Sequence, residues 1–356
     1  MTKDEVVLKA LSTVMDPDLN KDIVSLGFIK DLKCSENKIS FSIELTTPAC
    51  PVKDLLKKQA YEAVVSCTGI NDVEINMTSQ VRSFGARNEK LLPDVKNIIP
   101  VASGKGGVGK STISANLALA LAKKGAKVGL LDADIYGPSI PKILDVKQQV
   151  IVSQNTIFPV QKHGLKIMSM GFFMKEDQAV IWRGPMLGKM IDQFLTDVDW
   201  GELDYLVIDL PPGTGDVQLS LCQAIPLTGA VIVTTPQELA INVARKAILM
   251  FNKLNTPVIG VIENMSYYEC KSCGEKERIF GEGGGEKTCK EFDLPFLGDI
   301  PLTSPIRESS DNGNPVVISA PESSEATAFM SIAENLASQI SIMAMKNGQS
   351  DIKVSF

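Results

Sequence analysis

Gly104-Lys105-Gly106-Gly107-Val108-Gly109-Lys110-Ser111-Thr112 is the stretch from which the fold of this chain is read. It satisfies G-x-x-x-x-G-K-S/T, the phosphate-binding loop. Glycines are needed because only they let successive backbone N–H groups turn inward around a β-phosphate, while the N-terminus of the next helix adds partial positive charge. Lys110 is placed to reach β and γ oxygens as a point charge, and the Ser111 hydroxyl to ligate Mg2+. The flanks agree. Asn97–Ala102 reads as a short apolar strand and Ser114–Lys123 as an Ala/Leu-rich amphipathic helix, giving the strand, loop, helix order the motif requires.

Outward from the loop, carboxylates fall where nucleotide chemistry needs them. Lys127-Val128-Gly129-Leu130-Leu131-Asp132-Ala133-Asp134 is an apolar run ending in two acids, and Tyr205-Leu206-Val207-Ile208-Asp209 is another ending in one. Continuous Val/Ile/Leu runs suit strands buried on both faces of a parallel sheet, and acids just past their carboxyl ends lie at the edge where such sheets bind ligands. Asp209 is therefore read as a holder of Mg2+. Residues two apart in an extended segment point the same way, which would turn Asp132 and Asp134 toward one ligand. A strand-terminal Asp also serves as an ordinary helix N-cap, and that reading stays open for each of the three.

Composition bounds the class. At 356 residues the chain exceeds the usual single core, so two domains are expected. A hydrophobic content of 44% with 22% charged residues is that of an ordinary globular protein. The net charge of −6 argues against nucleic acid or an anionic membrane as partner, since either wants a basic face. The polar start Met1-Thr2-Lys3-Asp4-Glu5 lacks a signal-peptide pattern, and no run approaches the ~20 apolar residues of a membrane span. Seven cysteines, an odd count, suggest reduced thiols, and a cytoplasmic protein is expected. The fold class expected is α/β: a P-loop NTPase with a mostly parallel sheet flanked by helices, plus a small amino-terminal α/β domain. The boundaries read are 1–81 for the small domain, 82–96 for a linker, 97–346 for the NTPase domain and 347–356 for a tail.

Within the small domain, Glu5–Met15 has the pattern of an amphipathic helix stopped at Asp16-Pro17. Ile39–Leu45 alternates apolar and polar in period two, Val52–Ser66 is again helical, and Ile70–Met77 alternates. Cys50 stands at the strand-to-helix junction Thr46-Thr47-Pro48-Ala49-Cys50-Pro51, where helix N–H groups can lower a thiol pKa. Cys34 and Cys67 have no such setting.

Cys270-Lys271-Ser272-Cys273-Gly274 is a C-x-x-C in a polar stretch after the apolar segment Val258–Ile262. Two thiolates at this spacing hold two corners of a tetrahedral site, whereas zinc or an iron–sulfur cluster normally takes four protein ligands. Three readings are open: a zinc site completed by Cys289 and one other group, a redox disulfide, or a half-site completed by a second copy across a twofold axis. The only histidine, His163, lies far off in sequence, which weakens zinc.

Lys105, just after the first glycine, makes the loop similar to that of the deviant Walker ATPases, the group resembling MinD, ParA and the nitrogenase iron protein. That resemblance implies that Lys105 crosses a dimer interface to the phosphates bound by the other subunit, that Asp134 orients or deprotonates the attacking water and that Asp132 steadies the metal. Further segments narrow it: Asp132-Ala133-Asp134-Ile135-Tyr136-Gly137-Pro138-Ser139, Trp182-Arg183-Gly184-Pro185-Met186, Asp209-Leu210-Pro211-Pro212-Gly213-Thr214-Gly215-Asp216, Thr234-Thr235-Pro236-Gln237, Glu263-Asn264-Met265-Ser266 and the Cys270/Cys273 pair. Together they resemble the Mrp/ApbC family of iron–sulfur cluster carriers over roughly residues 98–317. Asp16-Pro17-Asp18, Asp22–Gly27 and Thr46–Pro51 resemble the assembly domain often fused to it. The resemblance implies a homodimer that binds a 4Fe-4S cluster between its cysteine pairs, hydrolyses ATP slowly and passes the cluster from a donor scaffold to acceptor apoproteins. It also implies that Asn264 contacts adenine. Cys289 departs from the family pattern and is read as inert. The alternatives carried are a MinD/ParA-like positioning ATPase, disfavoured because the terminal helix pattern Ser323–Lys346 is almost free of basic residues, and an ATPase with a structural zinc site.

Overall fold

The computed structural model describes residues 2–83, 92–135, 137–154, 156–173, 190, 192–213, 218–219, 222–223, 225, 227–270 and 272–350. Tyr136, the Trp182–Met186 motif, Thr214 to Asp216, most of the expected linker and the last residues of the expected tail lie outside them. The chain divides into two compact units. One comprises the described residues up to Arg82 with those from Ala337 onward, the other Ser83–Leu336.

The first unit holds α1 (Lys3–Leu11), β1 (Ile29–Cys34), β2 (Ile39–Leu45), α2 (Lys53–Thr68) and β3 (Val73–Ser79), with β2 central, antiparallel to β1 and parallel to β3. The period-two reading of β2 holds residue for residue: Ile39, Phe41, Ile43 and Leu45 are buried and the residues between them half-buried. The first helix stops short of the Met15 expected from its pattern. The Ser12 and Thr13 hydroxyls donate to the Lys9 and Ala10 carbonyls at 2.8 and 2.7 Å, an alternative to continued helix that short hydroxyl side chains offer.

The second unit is built on an eight-stranded sheet. Its elements are β4 (Val95–Ser103), α3 (Lys110–Lys123), β5 (Val128–Asp132), β6 (Val160–Lys162), β7 (Leu165–Ser169), β8 (Leu203–Asp209), β9 (Ala230–Thr234), α4 (Glu238–Lys253), β10 (Val258–Asn264), α5 (Gly284–Phe292) and β11 (Phe296–Ile300). The strand order is β6-β7-β5-β8-β4-β9-β10-β11, parallel throughout except for the β6–β7 hairpin at one edge. Every residue of β5, β9 and β10 is buried, as strands covered on both faces require. β8 lies between β4 and β5, so the chain leaving β4 through the glycine loop crosses over a strand place that is filled later. Such a point of reversed strand order leaves a crevice at the carboxyl edge of the sheet. A last helix, α6 (Ser324–Ser350), starts in this unit and its residues from Ala337 onward belong to the first. Among the described residues no helix is long and apolar enough to cross a membrane.

Two glycines in the sheet mark where neighbouring segments of the chain come too close for a side chain. A Cβ on Gly260 in β10 would stand 2.7 Å from the Pro295 carbonyl oxygen and 2.6 Å from Leu297 Cγ, and one on Gly129 in β5 would meet Leu203 at 2.7 Å. Gly260→Ala is expected to lower stability by about 1–3 kcal/mol, the usual cost of overpacking, read as a lower urea midpoint with an unchanged m-value.

Candidate functional site

The glycine loop joins the end of β4 to α3, and Gly109 is the N-cap of that helix with φ 81°. This left-handed conformation is one a residue with Cβ adopts at a cost. Space imposes the same demand, because a Cβ at Gly109 would lie 2.2 Å from Asn264 Nδ2. Gly107, at φ 82°, makes the second left-handed turn of the loop.

Three donors from the start of α3 converge on one carboxylate. Asp209 ends β8 and is fully buried. Lys110 Nζ donates to its Oδ1 at 2.7 Å, the Ser111 hydroxyl to Oδ2 at 2.6 Å and the Ser114 hydroxyl to Oδ1 at 2.8 Å. Lys110 is itself only 6% exposed, so the ion pair is held in a low-dielectric setting where losing either partner leaves a costly bare charge.

Sheet register puts a second acid beside the first. Asp132 is the direct partner of Asp209 across β5 and β8, and Ser169 the partner of Asp132 across β7 and β5. The Ser169 hydroxyl and the Ile140 amide donate to Asp132 Oδ2 at 2.9 and 3.2 Å, and the Asp134 amide to Oδ1 at 3.2 Å. Complete burial, and secondarily the charge of Asp209, push the Asp132 carboxyl up to about 8 despite these donors. The strand ends at Asp132, so the extended alternation invoked for Asp132 and Asp134 does not reach the second acid; Asp134 is half-buried in the loop that follows. Asp132 thus ties the two ends of the 133–140 segment to the sheet.

Lys105 is half-buried, and its Nζ lies 3.4 Å from Gln237 Oε1 just ahead of α4, where the Thr235 hydroxyl also donates at 2.8 Å. Gly104 fits under α4 because a Cβ there would come 2.6 Å from the Val243 backbone carbon. Asn264, at the end of β10 and 7% exposed, donates from Nδ2 to the Val108 carbonyl at 2.8 Å. The structure therefore brings Gly104 to Thr112, Asp209 and Asn264 to one edge of the sheet, with Asp132 in register beside Asp209.

The cysteine pair caps a small hairpin between the two-residue strands Tyr268–Glu269 and Lys276–Glu277. The Cys270 amide donates to the Glu275 carbonyl at 2.9 Å and the Gly274 amide to the Cys270 carbonyl at 2.8 Å, with Gly274 at φ 72° closing the turn. Backbone N–H groups of Cys273 and Ser272, then the Cys273 side chain, lower the Cys270 thiol pKa. This is the environment a thiolate ligand needs. Among the described residues no group of three or more His, Cys, Asp or Glu gathers as a metal site, so the pair has no third ligand within its own chain there. Cys289 lies in α5, 4% exposed, with burial pushing its thiol up to about 12 and its Sγ 3.4 Å from the Pro295 carbonyl. In the first unit Cys50 is half-buried just ahead of α2, while burial pushes Cys34 up to about 11.

Two side chains bonded to the paired acids were given no role in the sequence reading. Ser114 had a signal, since i+4 from Lys110 shares its helix face. Ser169 had none, because its partner is fixed by strand register.

Comparison with known proteins agrees with this geometry. The model described as the NUBPL iron-transfer P-loop NTPase matches residues 94–337, and that of the iron-sulfur cluster assembly protein matches residues 4–77. The iron-sulfur cluster carrier protein of Synechocystis sp. is 45% identical over 97% of this chain and 100% of its own length. The protein of the same name from Deinococcus radiodurans is 46% identical over 96% and 97%. A solved nucleotide-binding protein in complex with ADP from Archaeoglobus fulgidus is 46% identical, with a TM-score of 0.57, covering 63% of this chain and 89% of that one.

The raised carboxyl of Asp132 has a consequence for stability. A folded-state pKa near 8 against 3.8 means that the folded protein holds an extra proton between those values, so this group's contribution is full below pH 4 and lost as pH rises toward 8. Chemical denaturation at pH 6 and pH 8 should show the wild type losing stability over that interval and Asp132→Asn losing less.

Proposed function

This chain belongs to the iron-transfer P-loop NTPase family, and from that premise we propose that it is an ATP-dependent iron–sulfur cluster carrier whose cargo is a 4Fe-4S cluster shared by two copies of the chain. That it is a P-loop ATP hydrolase follows from the family. The cargo, the dimer and the transfer are the proposal, and one observation carries them: a preorganised pair of thiols, Cys270 and Cys273, with no third ligand among the described residues of the same chain. Four sulfurs are reached by adding a second pair through a twofold axis. Exposed apolar side chains at Leu239, two residues beyond Gln237, and at Ile279 and Tyr268, which flank the cysteines in sequence, supply surface that a partner copy would cover. The printed names of the relatives from Synechocystis and Deinococcus support the cargo class.

The residues fit magnesium and nucleotide. Lys110, Ser111 and Asp209 lie within hydrogen-bond reach of one another, and Gly109 leaves no room for a side chain beneath the loop. In this reading the amides of Gly104 to Thr112 and Lys110 hold the phosphates, and Ser111 and Asp209 hold Mg2+, which on binding supplies charge neutralisation at the transferred phosphoryl group. Ser114 keeps the Asp209 carboxylate turned toward Ser111. Asp134 orients the attacking water, its backbone amide donating to the Asp132 carboxylate, and Asp132 steadies the metal from beside Asp209. Lys105 serves the partner's phosphates, and Asn264 contacts adenine. The domains proposed are a small one over 1–81 and an NTPase domain over 97–346, the residues of the latter from Ala337 onward grouping with the first compact unit, and the partners proposed are a donor scaffold and acceptor apoproteins. The net charge of −6 supports neither nucleic acid nor an anionic membrane as partner, and the cytoplasm is the compartment proposed.

Anaerobic reconstitution with iron and sulfide is expected to give a brown protein with about two irons per chain and broad visible absorption, and Cys270→Ala/Cys273→Ala should stay colourless. A colourless wild type that holds zinc would overturn the reading. Lys110→Ala should lower phosphate release from ATP by about a hundredfold or more, since removing a single transition-state donor already costs that much.

A further inference from the structure

The cysteine hairpin is an excursion of the chain, and both of its roots are fastened to one buried carboxylate that the nucleotide reading leaves without a task. Glu263 is 2% exposed. Its Oε1 accepts the Ser266 hydroxyl at 2.6 Å, on the side where the excursion begins. Its Oε2 accepts the Gly285 amide at 2.6 Å, in the first turn of α5, where the excursion ends. No cation among the described residues pairs with it. Its charge is carried by these two short bonds and by its place at the amino end of α5, where helix N–H groups favour an anion. Gly285 permits the approach, since a Cβ there would lie 3.1 Å from Oε2, and Gly284 permits α5 to lie against α4, a Cβ there meeting Ile241 at 2.9 Å.

The neighbour of this carboxylate in sequence holds the phosphate loop. Asn264 Nδ2 donates to the Val108 carbonyl at 2.8 Å, and its Oδ1 accepts the Met265 amide at 3.0 Å. Met265 sits at φ 56°, a left-handed conformation that a methionine keeps only where its surroundings fix it. The Ser266 amide donates to the Ile300 carbonyl at 3.0 Å, and the Leu302 amide to the Tyr267 carbonyl at 2.7 Å, so the segment is also pinned to the end of β11. Between the last of these anchors, at Tyr267, and Cys270 only Tyr268 and Glu269 intervene, and they are paired in the hairpin.

We propose that Glu263 is the positioning residue of the Cys270/Cys273 hairpin and, through Asn264 and the Val108 carbonyl, ties the hairpin to the phosphate loop, so that nucleotide and magnesium at the loop set how the two thiols are presented. This rests on the carrier reading for its purpose but not for its test. Coupling between sites travels through packed, hydrogen-bonded elements with no slack between them, and the Val108, Asn264, Glu263, Ser266 series has that form. Glu263 itself stays a positioning residue, since it touches neither phosphate loop nor thiol in these bonds.

The test uses full-length, metal-free protein. Reaction of the Cys270/Cys273 thiols with an aromatic disulfide reagent is followed with and without Mg2+ and a nonhydrolysable ATP analogue, subtracting the rate of Cys270→Ala/Cys273→Ala. The wild type should change rate by about fivefold or more on nucleotide binding, the usual range of a coupling between sites. Glu263→Gln keeps the shape but turns an NH2 toward one of the two donors; the response should fall to about twofold or less while saturating-ATP hydrolysis stays near wild type. Should Glu263→Gln fail to fold, Ser266→Ala, which removes only one root, should show a response between the two. A wild-type response preserved in both variants, or no response in the wild type, overturns the proposal. Failure of the protein to take up iron would sink the carrier reading alone, because the thiol assay needs no cluster.

Discussion

Two carboxylates buried side by side with one ammonium group between them and the loop are the constraint around which the NTPase unit is arranged. Asp132 and Asp209 are register partners at the carboxyl ends of β5 and β8, both without exposed surface, and Lys110 is the cation paired with Asp209. A one-residue slip of either strand would turn its acid to the other face of the sheet, so register is fixed as much by this charge cluster as by the apolar run behind it. Serine hydroxyls complete the arrangement, Ser111 and Ser114 on Asp209 and Ser169 on Asp132. Complete burial first, and the neighbouring charge of Asp209 second, push the Asp132 carboxyl far above its ordinary range.

Much of this edge was legible in the sequence because its signals are local. The glycine spacing fixes the loop, the apolar run ending at Asp209 fixes a buried strand with an acid at its carboxyl end, and period two fixes β2 to the residue. What was not legible depends on pairings that local pattern does not encode. Ser169 meets Asp132 only because β7 lies next to β5 in that register, and Glu263 meets Gly285 only because the chain returns after an excursion of about twenty residues. The extended segment read as reaching Asp134 ends two residues earlier, at Asp132, because the amide of Asp134 turns back onto the Asp132 carboxylate. The first helix ended early for a similar reason: hydroxyls of Ser12 and Thr13 compete for the carbonyls that would have continued it.

The cysteine hairpin shows how a fold prepares a thiol without burying it. Cys270 lies at a turn whose N–H groups point at its sulfur, whereas Cys289 and Cys222 are buried and pushed up to about 12. Hydrogen bonding disposes the Cys270 thiol to ionise, and burial keeps Cys222 and Cys289 from it. The phosphate loop and the root of this hairpin are each bonded to the end of β10, the loop through Asn264 and the hairpin root through Glu263.

The central claim is that two chains share one cluster, and native mass spectrometry of anaerobically reconstituted protein tests it most directly. The account predicts a species of two chains carrying four irons and four sulfides, which falls to metal-free chains when iron is stripped by a chelator. Iron found on single chains, or dimers whose metal content survives loss of the Cys270 and Cys273 thiols, would contradict it.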